Sequence, residues 1–397
     1  MKRLKFFVAF GTILIISSSK AYSKDLFSVV VSSNGVTESK SYSNVSDFAE
    51  ADFAGVNSAY TTTSAAHAQL FIRGIKANSS YSLNSTELKF SVPSLGINKT
   101  FSGKTRDESQ KLFLSWLKKD AGDLLKAFTQ KTAIDPVAGN PNSLMSTMAT
   151  SDFSQATGLT GSGSLKTKEH VSIVGIESEY GQFKSQGYSG DVYRLPLSWS
   201  TQLSDSGTTL LLDFPVQYSD VENAKSYAAS FGVGARFPIV ESWSLTPSFR
   251  AGAAGSDDLG AGAAVFSWSL TSTYDTKIDD FDVKIGNMIG YFKSQEVSIG
   301  DISLDYNLSN IILRNGIAVS HDIPFDVLNR ALKGEVFIIN THFAGSEMYI
   351  SNYTEAGFDF ATPLTIGPIR YDSFKLGASY TFAENYDGFK ANFGFKF

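Results

Sequence analysis

Four histidines are the side chains of this sequence best suited to proton transfer near neutral pH. They are His67, His170, His321 and His342. His321 precedes Asp322, and an imidazole beside a carboxylate is half of the arrangement that activates a nucleophile. The sequence has no cysteine, and no serine nucleophile motif stands beside this pair. We interpret the pair as a solvated turn at a strand end and expect no enzyme activity and no catalytic residue.

The sequence lacks the residues that metal sites, disulfide bridges and nucleotide-binding loops need. The absence of cysteine excludes disulfide bridges and thiolate zinc sites. The carboxylates of 257–258 and 279–280 do not have the spacing of an EF-hand loop, so we interpret both pairs as turns. The glycine-rich stretch 252–262 has no Lys-Ser/Thr of a phosphate-binding loop. We therefore expect no cofactor and no bound metal.

The beginning of the sequence has the pattern of a secretory signal. Three cations within the first five residues precede an apolar run, 6–16, and small residues follow at 21–23. We expect residues 1–23 to be removed. Loss of the four cations in this segment takes the formal net charge from −5 to −9. A protein this acidic is not expected to bind nucleic acid.

From about residue 166 the sequence alternates between apolar and polar side chains in short runs. Successive side chains of a strand point to opposite faces, so each run predicts a strand with one apolar and one polar face. Tyr227 and Phe231, for example, share one parity, and Gly232 and Arg236 share the other. We count about twelve such strands, an even number that membrane barrels allow.

Charged side chains fall on the polar parity of these strands. Burying so many ions unpaired in a dry sandwich would cost several kcal/mol per ion, whereas the wet lumen of a barrel accepts them. We predict that they face a lumen together with His342, and that they pair with one another or tune a channel. The predicted lumen charges are Arg194, Asp213, Arg236, Arg250, Lys284, Arg314, Glu355, Asp359, Lys375 and Lys390.

Aromatic residues near the strand ends favour a membrane barrel over a soluble sheet. Amphipathic rings at these positions form the girdles that meet lipid head groups. The candidate girdle residues are Tyr193, Trp199, Tyr218, Tyr227, Trp243, Tyr274 and Tyr291. The fold class that we predict is all-β, with a transmembrane antiparallel barrel at 166–397.

The last stretch of the sequence carries a more specific pattern. Phe389, Phe393, Phe395 and Phe397 share one parity, and the sequence ends on the last of them. A final strand with alternating aromatics and a terminal Phe resembles that of bacterial outer-membrane β-barrels. The resemblance implies that these four residues form a barrel-assembly signal. It also implies the Gram-negative outer membrane as location, and lipid, the barrel-assembly machinery and periplasmic chaperones as partners.

The barrel region also resembles the translocator barrel of autotransporters. The resemblance covers roughly 166–397 and is one of pattern: about twelve strands, a linker before them and Phe at the end. Autotransporters usually carry a much larger, repetitive passenger upstream. This sequence has a short upstream part without repeats, which departs from that family's pattern.

Three segments precede the barrel. Short β-prone runs at 24–104 predict a small β-rich module, which we expect to be sandwich-like. Apolar residues at helical spacing predict an amphipathic helix at 105–131, started by the capping box of Thr105 and Glu108. This helix would either cover the module or plug the barrel. Turn-forming residues at 132–165 predict a linker.

Three functional classes remain open on the sequence alone. The first is a structural, channel or autotransporter-like barrel that carries a small module. The second is a surface-presented adhesin or binding module that the barrel anchors. The third is an outer-membrane hydrolase. The sequence identifies neither a ligand nor the side of the membrane on which the module lies.

Overall fold

The computed structural model describes residues 25–119, 122–159, 172–299, 302–327, 330–366 and 369–396. The predicted signal segment 1–23 and the terminal Phe397 lie outside these residues. The described chain forms a small sheet with helices, followed by a closed barrel. None of the helices in the described part is both long and apolar enough to cross a membrane.

The module is one antiparallel sheet of six strands, not the sandwich that we expected. Its spatial order is β2-β1-β3-β4-β5-β6. The sequence shows no clear β-prone run at 36–42 or 75–81, because serine and lysine hide the alternation of these two strands. The strands are β1 (Phe27–Ser33), β2 (Val36–Tyr42), β3 (Ala66–Ile72), β4 (Ile75–Tyr81), β5 (Glu87–Val92) and β6 (Ile97–Ser102).

Helices cover the apolar face of this sheet. The short α1 (Val45–Ala49) and α2 (Phe53–Val56) contribute Phe48 and Phe53 against β1 and β3. The predicted helix at 105–131 is two helices, α3 (Arg106–Lys119) and α4 (Gly122–Lys131). Both pack on β4 to β6 through an apolar cluster, so they cover the module and do not enter the barrel.

The start of α3 has the predicted cap with one difference. Thr105 Oγ1 accepts the Glu108 amide at 3.2 Å, as in a capping box. The Glu108 carboxylate accepts the amide of Lys104 (2.7 Å), one residue before the expected position. A 3₁₀ turn at Pro93–Leu95 separates β5 from β6.

Twelve antiparallel strands form the closed barrel, which confirms the predicted fold class and strand number. The barrel closes where β20 pairs with β7, from Tyr386↔Ser185 to Lys396↔Gly175. A small hairpin, β14 (Val297–Ile299) and β15 (Ile302–Leu304), lies within the 296–308 connection and contacts both the barrel and the module. The barrel strands are β7 (Ser172–Ser185), β8 (Tyr188–Gln202), β9 (Thr209–Val221), β10 (Ala224–Val240), β11 (Trp243–Ser256), β12 (Ala261–Ile278), β13 (Phe281–Gln295), β16 (Ser309–Val327), β17 (Arg330–Gly345), β18 (Asn352–Ile366), β19 (Ile369–Ala383) and β20 (Tyr386–Lys396).

The outer face of the barrel is apolar and exposed, as a lipid-facing surface must be. Trp268 is 56% exposed and Phe231 48%. Near one end, tyrosines of adjacent strands form a continuous row. Ring centroids are 5.1 Å apart for Tyr180–Tyr193, 6.0 Å for Tyr193–Tyr218 and 5.4 Å for Tyr218–Tyr227. Such a row is typical of an aromatic girdle.

The module lies at one end of the barrel, which we call the module end. The connections at this end are 186–187, 222–223, 257–260, 296–308, 346–351 and 384–385. Val45 N donates to Asp258 O (2.8 Å) and Tyr349 N donates to Thr129 O (2.7 Å), so module and barrel loops are in direct contact. The first barrel strand starts at the opposite end, where the described connections are 203–208, 241–242 and 279–280.

A fifth helix, α5 (Leu144–Thr157), lies within the range predicted as a linker. It contacts β9, β10, β11, β12, β13 and β16 from the inside of the barrel. All of its 14 residues are buried except Thr150 and Ser151. An element enclosed on nearly all sides by barrel strands occupies the lumen, so α5 is a plug.

Candidate functional site

The sequence of α5 explains why it forms a helix. Ser143 stands at the N-cap, and Gly158 ends the helix in the left-handed region with φ 72°. Glycine adopts this conformation without the steric cost that a Cβ would add. Small side chains alternate with Met145, Met148 and Phe153, which gives a slim helix that still has apolar surface to bury. A helix of this length spans about 21 Å.

The plug runs along the barrel from the module end to the opposite end. Just before its first turn, Asn142 Nδ2 donates to Tyr386 Oη (2.7 Å) beside the 384–385 turn. Near its last turn, Thr273 Oγ1 donates to the Ala156 carbonyl oxygen (3.3 Å). Thr273 lies in the half of β12 that leads away from the module. The chain therefore leaves the module, passes through the lumen as α5 and continues to β7.

Arg250 holds the plug to the wall. Its Nε donates to Asp152 Oδ1 on α5 (2.8 Å), and its two terminal nitrogens donate to Asp213 on β9 (2.7 and 2.8 Å). Ser269 Oγ donates to the other oxygen of Asp152 (2.9 Å). The Arg250 side chain is fully buried. This bidentate, charge-assisted arrangement fixes the geometry of both carboxylates.

Two further arginines of the wall contact α5. Arg236 donates to the carbonyl oxygens of Gln155 (2.9 Å) and Ala156 (2.6 Å). These carbonyls belong to the last turn, where a helix has unpaired acceptors and a partial negative charge. The guanidinium carbon of Arg314 lies 5.4 Å from the ring centre of Phe153, a cation–π distance.

Glycines of the wall make room for the plug. A Cβ at Gly286 would lie 2.6 Å from Thr157 Cγ2 and 2.8 Å from the Phe153 ring. A Cβ at Gly316 would lie 3.2 Å from the same ring. The glycines that the sequence places on the polar parity therefore permit a close approach of helix and strand.

Ion pairs line the wall that faces the plug from the other side. Glu355 accepts hydrogen bonds from Lys390 (2.6 Å) and from Arg314 (3.2 Å). Lys375 pairs with Asp359 at 2.8 Å. Arg194 pairs with Glu179 at 2.8 Å. Paired in this way, buried charges avoid most of the cost of an isolated ion.

The structure places the ten predicted lumen charges on the inner side of the wall. Eight of them take part in the contacts with α5 and in the ion pairs just described. Of the other two, Asp213 pairs with Arg250. Lys284 has the same parity as Gly286 on β13 and lies 4.0 Å from Asp275. No group of three or more histidines or carboxylates in the described residues has a metal-binding arrangement.

Strand β17 differs from the prediction. The predicted lumen position of His342 implies the lipid face for Phe337 and Ile339, which have the opposite parity. Both are instead buried in the lumen, and Val336 and Ile338 are exposed. His342 is exposed and its Nδ1 lies 3.4 Å from Asn352 Nδ2, so it does not share the lumen with the carboxylates. The physical reason is the plug, because α5 gives the lumen an apolar surface against which wall residues can pack.

The other candidate residues have simple surroundings. His321 Nδ1 lies 3.0 Å from the carbonyl oxygen of Asp280, within hydrogen-bond distance, and its ring is tilted against that of Phe281 with the centroids 4.8 Å apart. Of the predicted assembly signal, Phe389 and Phe393 are exposed on the outer face of β20. Phe395 is half-buried beside Phe374 at a ring distance of 5.2 Å. Phe397 lies outside the described residues.

A buried junction joins the module, the plug segment and a barrel loop. Arg73 Nη2 donates to Asp135 Oδ2 at 2.6 Å, and both side chains are fully buried. The guanidinium lies 4.2 Å from the Phe128 ring centre. Tyr306 Oη donates to the same carboxylate at 3.1 Å, and Val137 N donates to its other oxygen at 2.9 Å. Burial, and then the charge of Asp135, raises the pKa of the Tyr306 phenol, which therefore remains a donor.

The sequence analysis did not single out Asp152 or the Arg73–Asp135 pair. A signal for α5 was present, since Met145, Ala149 and Phe153 lie at helical spacing between a serine N-cap and Gly158. The turn-forming residues on both sides concealed it. No local signal exists for the Arg73–Asp135 pair, because the two residues are distant in sequence.

The similarities of this chain to known proteins are to solved structures of low sequence identity. A scan against protein-family models and a search of curated proteins give no match. Among solved structures, the β domain of the Bordetella autotransporter Brka is 14% identical with a TM-score of 0.43, and the match covers 57% of this chain and 98% of that one. The translocator domain of autotransporter NalP from Neisseria meningitidis is 13% identical with a TM-score of 0.45, covering 64% and 96%. The transport unit of AIDA-I from Escherichia coli is 10% identical with a TM-score of 0.40, covering 63% and 97%.

At these identities and TM-scores the likenesses carry no argument about this chain. The strand pairing of the described residues by itself shows a closed antiparallel β-barrel of twelve strands. Its exposed apolar face fits a lipid environment.

Proposed function

We propose that this protein is an autotransporter-like surface presenter. The barrel anchors the chain in the outer membrane, the module at 25–131 is displayed outside the cell, and α5 keeps the lumen closed to solutes. The observation that carries the proposal is the course of the chain. A helix enclosed in the lumen connects a module at one mouth to a first strand that starts at the other mouth.

The lengths of the connections support an outward-facing module. Outer-membrane barrels have short turns on the periplasmic side and longer loops on the outside. Both ends have two-residue turns, but the longest connection, 296–308, lies at the module end, whereas the longest described connection at the opposite end is 203–208. The module therefore sits at the mouth that we assign to the cell surface.

The plug argues against an open channel for solutes. A porin lumen keeps a water-filled passage, whereas α5 and its arginine contacts fill much of this one.

Display of the module outside the cell agrees with a binding role for it. The sheet face turned away from the helices carries exposed polar residues such as Gln69 and Lys89.

Thiol labelling of intact cells tests the proposal, since the sequence has no cysteine of its own. We expect Lys89→Cys, on the exposed face of the module, to react with a membrane-impermeant maleimide in intact cells. The matched control is Asp280→Cys in the exposed turn at the opposite end, which should react only after the outer membrane is opened. The reverse pattern, with Asp280→Cys labelled first, would contradict surface display.

A further inference from the structure

The module has one open face, on the side of its sheet that the helices do not cover. Because residues directly opposite each other on paired strands share a face, side chains of all six strands form rows across it. The row farther from the barrel, which we call the far row, contains no apolar side chain. It consists of Thr37, Ser32, His67, Ser80, Lys89 and Thr100.

A second row, the near row, crosses the same face closer to the barrel. All twelve side chains of the two rows are exposed or half-buried, and nine of them end in a hydroxyl or a carboxamide. Each row is about 24 Å long at the usual spacing of adjacent strands. Gln69, Asn78 and Ser91 form no side-chain hydrogen bond with other described residues, so their donors and acceptors are available to a ligand. The near row consists of Ser39, Val30, Gln69, Asn78, Ser91 and Asn98.

The strands of this sheet extend away from the barrel mouth. The turn 73–74 between β3 and β4 lies at the barrel, where a Cβ at Gly74 would be 3.6 Å from Tyr188 Oη. The turns 34–35 and 82–86 form the other end of the sheet, and Leu83 is 67% exposed there. The seven residues of β3 span about 23 Å. The far row therefore lies well outside the mouth, where it meets ligands in solution and not the head groups of the surrounding membrane.

The side chains of the two rows do not suit most macromolecular partners. Protein interfaces are enriched in aromatic residues, methionine and arginine and depleted in serine and lysine, whereas the rows contain none of the former and four serines. Nucleic acid needs a cluster of cations, and the one lysine of the rows, Lys89, lies 3.8 Å from the carboxylate of Glu87. A lipid surface needs an apolar patch, and Val30 is the one aliphatic residue of the rows.

Charge and hydrogen bonding on this face are complementary to an uncharged ligand rich in hydroxyl groups. Hydroxyl and carboxamide side chains both donate and accept hydrogen bonds, as the hydroxyl groups of sugars do. With Glu87 beside Lys89, the two rows offer little net charge to an anion. At the barrel end of the same face, Lys76 Nζ lies 5.6 Å from the ring centre of Phe71, a cation–π distance. This half-buried ring adds a flat apolar surface against which the C–H groups of a sugar can pack.

We propose that the far row and the near row bind a neutral polysaccharide that reaches the module from outside the cell. The sugar chain lies across the strands, because the hydrogen-bonding side chains repeat in that direction at the spacing of adjacent strands, about 4.8 Å. The inference rests on the proposed surface display and names the ligand class of the displayed module.

Equilibrium binding to the purified full-length protein, in a detergent without sugar head groups, tests the site. Dextran, mannan and galactomannan are the neutral probes, and alginate is the anionic probe. We expect saturable binding of at least one neutral probe and none of alginate. Gln69→Ala combined with Asn78→Ala should weaken this binding tenfold or more, because it removes two hydrogen-bonding groups from the near row. The matched control is Lys111→Ala, at an exposed position of α3 on the other side of the module, which should bind as the wild type does.

The outcomes separate the binding face from the display of the module. No binding of any neutral probe, binding of alginate alone, or equal binding by the double variant and the wild type would overturn the polysaccharide site. Self-association of the protein that the double variant abolishes, without polysaccharide binding, would make the face a contact between copies and would overturn it too. Binding by the purified protein, together with labelling of Lys89→Cys in opened cells only, would support the binding face and overturn its display.

Discussion

Arg250→Ala should lower the free energy of unfolding by about 3–5 kcal/mol, because removal of one partner leaves buried charges uncompensated. Asp152 on the plug and Asp213 on the wall both depend on this guanidinium, which is fully buried between them. The measurement is the temperature at which the folded band on a detergent gel converts to the unfolded one. We expect a conversion at clearly lower temperature for the variant.

An exposed ion pair of the same barrel supplies the control. Lys333 and Asp282 form a pair with side chains 43% and 50% exposed. Exposed pairs contribute about 0–1 kcal/mol, so Lys333→Ala should change the conversion temperature little. If Arg250→Ala and Lys333→Ala were equally stable, the buried contact between plug and wall would not hold the barrel together as described.

Phe231→Arg should destabilise the barrel by about 2–4 kcal/mol, since a cation near the bilayer midplane loses its hydration. Phe231 lies in the middle of β10 and is 48% exposed on the outer face. Unfolding in lipid bilayers measures the effect. Tyr227→Arg on the same strand and face lies near the module end, in the aromatic row, where the cost is expected to fall to about 0–1 kcal/mol.

The depth dependence is the informative part of this comparison. A soluble barrel would tolerate both substitutions on an exposed face. A barrel whose outer face were buried against another protein would give no gradient along the strand. Equal costs at 231 and 227 would therefore contradict a lipid-facing band centred on the middle of β10.

The outer face of the barrel was predictable from the sequence because it depends on local alternation. Parity alone predicts that Phe231 and Trp268 lie on the outer face, since lipid requires apolar residues wherever the wall is exposed. The lumen was harder to predict. Residues that face the lumen pack against α5, and the parity of a strand does not reveal that this helix is there. Because α5 fills the space, the apolar Phe337 and Ile339 are as suitable inside the barrel as Arg314.

Arg236 illustrates the same limit. Parity correctly indicates that the Arg236 side chain points away from lipid. The sequence does not distinguish an arginine that is isolated in the lumen from one that caps the end of a helix. The structure shows that Arg236 donates to the last carbonyls of α5. Its role depends on a helix some 80 residues earlier in the chain, which neither propensity nor spacing on β10 encodes.

The module was predictable only in outline. Runs such as 87–92 stand out because the apolar residues Leu88, Phe90 and Val92 alternate with polar residues there. The junction of Arg73 with Asp135 could not be inferred, because it requires the module, the plug segment and the 296–308 loop to meet in space.

The passage of α5 through the lumen is the central claim, and a cross-link between plug and wall tests it most directly. Ser269 Oγ and Asp152 Oδ2 are 2.9 Å apart, so cysteines at both positions lie within reach of oxidation or of a short thiol-specific reagent. The account predicts an efficient cross-link for Asp152→Cys with Ser269→Cys in the assembled protein. The same plug variant combined with Leu270→Cys, whose side chain is 44% exposed on the outer face, should give none. No cross-link in the first pair, or equal cross-linking in both, would contradict a helix lodged inside the barrel.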